Sequence, residues 1–133
     1  VRMIHNLLPG IIARNAGGRV LTVASDAGRV GSMGETFYAG TKGAVIAFTK
    51  SLAREMARHR INCNVICPGP TDTPLFHSIE NEKLKNALAG AIPLRRLAQP
   101  MEIAHGIVFL CTPAAGFITG QVLSISGGLT MHG

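Results

Sequence analysis

The sequence predicts an α/β fold in which helices cover a parallel sheet. Runs that suit helices alternate with runs that suit strands, in the order helix, strand, helix, strand, helix, helix, strand. The strand runs RVLTVAS (19–25), INCNVICPG (61–69) and GQVLSISGG (120–128) are short, and the first two are rich in β-branched or apolar residues. A chain with 47% hydrophobic and only 15% charged residues is globular rather than disordered. Its 133 residues make one domain at most.

The first segment, 1–18, places Met3, Leu7, Leu8, Ile11 and Ile12 at helical spacing and ends in a Gly pair suited to a helix C-terminus. Pro9 inside it predicts a kink or a late helix start. After the first strand, the loop SDAGRVGSMGET (25–36) is studded with glycine. A long helix follows, from about Phe37 to His59. Tyr38, Lys42, Val45, Thr49, Leu52 and Met56 share one face, and Lys50, Arg54 and Arg58 lie opposite. Ala44, Ala47, Phe48, Ala53 and Ala57 widen the apolar area, which predicts a second buried face against another subunit. The second strand closes on Pro68-Gly69. A loop with Pro70 and Pro74 leads to a short helix near Glu80–Ala89. PMEIAHGIVFLCT (100–112) is the last helix, with Pro100 in the first turn, where a missing N–H costs nothing.

The net charge of +6 is spread along the chain, from Arg2 and Arg14 to Arg95 and Arg96, and few aromatic residues accompany it. That pattern argues against nucleic acid as a partner and fits a chain whose acidic portion lies elsewhere. No apolar run reaches the roughly 18 residues that a bilayer span needs, and no signal peptide is visible, so the expectation is a cytoplasmic protein with no membrane partner. Cys63, Cys67 and Cys111 read as reduced thiols. Cys63 and Cys67 face one side of a strand, without histidines at metal-ligand spacing, and are expected to be small buried hydrophobes. His5, His59, His77, His105 and His132 have no spaced partners, so no metal site is expected. GRVGSMG (28–34) has the spacing G-x-x-G-x-x-G, not G-x-G-x-x-G, and no acidic residue about 20 positions on, so it reads as a flexible active-site loop.

The chemistry concentrates on Tyr38, the only tyrosine. Lys42 lies one helical turn later on the same face. A nearby ammonium favours phenolate over phenol, and a tyrosine tuned that way can pass a proton to or from an alcohol or carbonyl oxygen. Ser25, at the C-terminal end of the first strand, stands where open α/β sheets place their ligands and can supply the further donor that such an oxygen needs.

Ser25, then Tyr38 thirteen residues on, then Lys42, resembles the Ser, Tyr-x-x-x-Lys pattern of the short-chain dehydrogenase/reductase family. SLAREMARHRINCNVICPGPTDT, IPLRRLAQPMEIAHGIVFL and FITGQVLSISGG are similar to the family's later segments, in order and spacing. The resemblance covers nearly the whole chain but only the C-terminal part of the family's fold. It implies that residues 1–133 are the catalytic and substrate-binding part of one domain, in a Rossmann-like doubly wound parallel sheet whose N-terminal nucleotide-binding half is absent.

The resemblance also implies roles. Tyr38 would be the acid/base. Lys42 would lower the tyrosine's pKa and hydrogen-bond the nicotinamide ribose, and Ser25 would polarise the substrate carbonyl. After the Pro68-Gly69 motif, the Thr71 backbone would meet the nicotinamide carboxamide, with Thr73 against the carboxamide or diphosphate. The implied cofactor is NAD or NADP, with NAD favoured because several loops are similar to those of dehydrogenases that oxidise a ring hydroxyl beside a CoA thioester. The implied partners are a small alcohol or ketone, CoA-linked in that case, and further copies of the chain, paired through the Phe37–His59 helix and the last strand. Arg95 and Arg96 read either as a CoA-phosphate contact or as a solvated basic face.

The family's Gly-rich phosphate loop has no match here, and its catalytic asparagine would precede Val1. The expectation is therefore a fragment, inactive by itself. The alternative is a non-catalytic module that pairs with a complete subunit.

Overall fold

The structure, a computed structural model, describes residues 1–131. Strands β1 (Gly18–Val23), β2 (Ile61–Pro68) and β3 (Val122–Ile125) form one sheet in the order β1-β2-β3, with both pairings parallel. This is the α/β layer structure expected. Central β2 is buried along almost its whole length, as a strand covered on both faces must be. Its Asn64, 1% exposed, is tolerated because its amide donates to the Ile118 carbonyl and accepts from the Gln121 N–H.

Among the described residues six α-helices accompany the sheet: α1 (Arg2–Ala13), α2 (Ala27–Val30), α3 (Thr36–Met56), α4 (Pro74–His77), α5 (Glu82–Ala91) and α6 (Pro100–Cys111). The one-turn helices α2 and α4 lie where the sequence suggested only loops, so the glycine-rich stretch after β1 is partly ordered. Pro9 does not delay α1, which runs through it from Arg2. After α1 the first left-handed residue is Asn15, at φ 50°, a residue that visits this region more readily than most. The long helix ends at Met56, three residues before its expected limit, and tightens into a 3-10 turn over Ala57–His59.

Helices α1 and α3 cover one face of the sheet. Leu52, Ala53 and Met56 of α3 pack with Ile61 and Cys63 of β2, flanked by Ile4, Leu8, Ile11 and Ile12 of α1. Helix α6 covers the other face, where Ile103 and Leu110 meet Ile66 and Ile125. Cys63 and Cys67 are unpaired and fully buried towards α3, and burial pushes both thiols up to about 11. They are inert packing groups, as expected, whereas Cys111 is exposed.

Only the C-terminal half of the expected apolar face of α3 is buried, at Thr49, Leu52, Ala53 and Met56. The first turns do not cover the sheet. Lys42 reaches the carbonyl of Val23, the last residue of β1, so the turn before Lys42 projects past the strand end. Tyr38, 42% exposed, sits on that turn.

Candidate active site

The site gathers at the C-terminal edge of the sheet, where parallel strands deliver their loops together. β1 stops at Val23, and the chain then turns into α2. The Ser25 Oγ accepts the Ala27 N–H at 3.2 Å, which is the capping role a serine here would have in any protein. A hydroxyl that accepts one bond keeps its own proton to donate. The cap therefore orients Ser25 and leaves its O–H available.

Helix α2 lies directly against α3. A Cβ on Gly28 would stand 2.7 Å from the Lys42 carbonyl carbon and 2.8 Å from the Gly43 nitrogen, so only glycine allows this approach. The contact sets the Ser25 loop beside the turn that carries Lys42. The Lys42 Nζ donates to the Val23 carbonyl at 3.3 Å and lies 5.6 Å from the centre of the Tyr38 ring, within cation–π range. Ser25, Tyr38 and Lys42 thus come from two adjoining segments at one strand end.

β2 ends beside them. Pro68 accepts the Asp26 N–H at 3.2 Å, which links the two strand-end loops. Gly69 packs against the Ser126 backbone, where a Cβ would stand 2.8 Å from its Cα. The Thr71 Oγ1 donates to the Gly69 carbonyl at 2.9 Å, and the Thr73 Oγ1 caps α4 by accepting the Phe76 N–H at 3.3 Å. Among the described residues the Thr71 N–H has no acceptor, and the Lys42 ammonium has one. Donors without partners at the mouth of a parallel sheet suit a polar cofactor. The residues present therefore fit the ribose and carboxamide end of a nicotinamide.

Asp72 sits in the loop after β2, where its place in the sequence suits local hydrogen bonds that order the loop, and the structure supplies the partners. Asp72 accepts from His77 Nε2 at 2.6 Å and from Gln99 Nε2 at 3.2 Å, while its N–H donates to the Ala98 carbonyl. These bonds, His77's first, hold the Asp72 carboxyl below its usual range. Arg96 forks onto both oxygens of Glu102 at 2.6 Å, so its guanidinium is committed to an ion pair. Arg95 donates to the Gly90 carbonyl.

The Arg96 fork, helped by the Gln99 N–H, holds Glu102 at about 2 rather than near 4.5. A carboxylate lowered in this way contributes stability above the unfolded value near 4.5, and that contribution is lost as pH falls towards 2. The acid limb of the thermal midpoint, followed from neutral pH down to about 2, should therefore flatten in Glu102→Gln. An unchanged limb would remove Glu102 from the acid response.

Known proteins match the chain over nearly its full length. A family model described as enoyl-(acyl carrier protein) reductase matches residues 1–130. The chain is 39% identical over 130 residues to a 3-oxoacyl-(acyl-carrier-protein) reductase of Vibrio harveyi, covering 98% of this chain and 52% of the relative. It is 41% identical over 115 residues to an acetoacetyl-CoA reductase of an Acinetobacter species, covering 86% of this chain and 46% of the relative. A (3R)-3-hydroxyacyl-CoA dehydrogenase of Rattus norvegicus is 36% identical over 121 residues, covering 91% and 46%. The chain spans about half the length of the curated relatives it matches.

Proposed function

Because the chain belongs to the short-chain dehydrogenase/reductase family, we propose that it carries the acid/base and substrate-holding part of a nicotinamide-dependent oxidoreductase domain. The reaction interconverts a secondary alcohol and a ketone, on a 3-oxoacyl or 3-hydroxyacyl thioester. The observation that carries this reading is the placement of Tyr38 and Lys42 on the first turns of α3, beside Ser25 at the open end of β1. A bound NAD or NADP supplies or takes up the hydride. In the direction of reduction, the Tyr38 hydroxyl gives its proton to the substrate oxygen, and the Ser25 hydroxyl donates to the same oxygen as charge builds on it. Lys42 would hold the ribose with its remaining N–H groups, and the free Thr71 N–H would hold the carboxamide, with Pro68, Gly69 and Thr73 shaping that wall.

The substrate class has two supports. Relatives are named for 3-oxoacyl, acetoacetyl and 3-hydroxyacyl thioesters. The segment after Thr73 exposes Leu75, Leu84 and Leu94, apolar side chains of the kind an acyl chain would meet. The thioester carrier is CoA or acyl-carrier-protein. Arg96, tied to Glu102, is not the group that reads it. Copies of the chain pair through α3, whose outer residues Ala44 and Ala47 are exposed, and through β3. The non-catalytic pairing module has no support among the relatives, which are named as reductases and dehydrogenases. No helix among the described residues is long and apolar enough to cross a membrane.

The test is consumption of reduced nicotinamide by a complete domain that contains these 133 residues, with acetoacetyl-CoA against a simple ketone such as cyclohexanone. Faster turnover of the thioester is expected. Preference for the simple ketone would overturn the substrate class, and no consumption with either cofactor would overturn the reaction.

A further inference from the structure

Asp26 follows Ser25 and occupies the N-cap position of α2, yet its side chain caps nothing there. It is 4% exposed, and its carboxylate points into the protein instead. The Ser124 Oγ lies 2.8 Å from each of its oxygens, and the Thr130 Oγ1 lies 2.6 Å from Oδ2. A guanidinium nitrogen of Arg29 stands 3.6 Å away. Ser124 is in β3, and Thr130 lies beyond the turn that follows it, 98 and 104 residues along the chain from Asp26. The two hydroxyls are 3.0 Å apart, and the Ser126 Oγ accepts the Thr130 N–H. The Asp26 backbone is committed too. Its N–H donates to the Pro68 carbonyl, and its carbonyl accepts from Arg29 and Val30. One residue therefore joins the ends of all three strands to the C-terminal turn.

Ser25 needs such an anchor. It lies outside the β1 ladder, and its own N–H reaches Cys67 of β2; its bonds from the Ala27 N–H to Oγ and from the Gly28 N–H to the carbonyl are internal to the α2 turn. Those bonds fix the turn's shape but not its angle to the sheet. Gly28 sets that angle from the α3 side. On the sheet side the Ala24 N–H to the Ile66 carbonyl and the Ser25 N–H to Cys67 hold the chain to β2, and the Asp26 side chain carries the loop on to β3 and the turn after it. A buried carboxylate that loses a hydroxyl donor is drawn towards water, and it would take the adjacent serine with it.

We infer that Asp26 is a positioning residue, which holds Ser25 in place for the reaction by locking its loop to Ser124 and Thr130. The catalytic half of this inference rests on the function proposed above; the mechanical half does not. Thr130→Val removes one hydroxyl far along the chain while keeping the side chain's shape, and Thr130→Ser keeps the hydroxyl. In Thr130→Val, amide exchange across residues 25–30 should quicken about tenfold, and in a complete domain that contains this chain kcat should fall about tenfold with the cofactor KM unchanged. Thr130→Ser should restore both. Placed on Ser25→Ala, Thr130→Val should cost nothing further, because the serine it positions is gone. An equal loss of kcat with and without Ser25, or unchanged exchange at 25–30, would overturn the inference. Full turnover in Tyr38→Phe would instead overturn the proposed function, and the exchange measurement would still decide whether Asp26 holds the loop.

Discussion

Tyr38→Phe, in a complete domain that contains this chain, should lower kcat by roughly a hundred- to ten-thousandfold, the range that a positioned general acid or base contributes. The substitution removes one hydroxyl from a side chain that is 42% exposed and leaves the ring over Lys42 in place. Among the described residues that hydroxyl makes no hydrogen bond, so no buried partner is stranded by its loss. The thermal midpoint and the cofactor affinity should therefore stay close to those of the unaltered protein. A fall in kcat without a fall in stability separates a chemical role from a structural one. Turnover that survives the loss of the phenol would mean that another group moves the proton.

Gly28→Ala should act in the opposite way, through the fold. The added methyl would meet backbone and Cβ atoms of Lys42 and the Gly43 nitrogen at 2.7–2.8 Å, and a helix backbone cannot give way as a flexible side chain can. Overpacking of this kind costs about 1–3 kcal/mol, which for a domain of this size lowers the thermal midpoint by about 4–11 °C. The contact joins the Ser25 loop to the Lys42 turn, so activity should fall with stability. Gly40→Ala is the control. Gly40 is in the same helix α3, and an added Cβ there meets nothing within 4 Å. That change should raise stability by up to about 1 kcal/mol through helix propensity. If both substitutions moved the midpoint the same way, the close approach of α2 to α3 would not be what limits position 28.

Position 38 and position 28 differ in how far the chain's local pattern reveals them. Tyr38 and Lys42 are legible because both belong to one helix, and a spacing of four on a helix is a distance. Ser25 is legible from its place at a strand end. The capping of Ala27 by Ser25 needs only neighbours, but α2 itself is hidden, since its four residues include a glycine and show no apolar period. The close approach at Gly28 is hidden with it. The partners of Asp72, though not its place in ordering the loop, are hidden for a different reason. His77 and Gln99 reach Asp72 from separate elements, and nothing in their spacing encodes the meeting.

Local sequence is enough for the α/β class, the three strand positions, Cys63 and Cys67 as buried hydrophobes, and the placing of Tyr38 and Lys42 one turn apart on one helix. All of these rest on local period and on helix or strand geometry, which short-range backbone sterics enforce. Packing alone settles that only half of the long helix covers the sheet, that Arg96 belongs to Glu102, and that Asp26 turns from its own helix to Ser124 and Thr130. Each of those is a choice of partner across the sheet or between loops. Such choices follow from how the layers stack, where a buried charge takes the nearest donors that packing delivers, however far along the chain they lie.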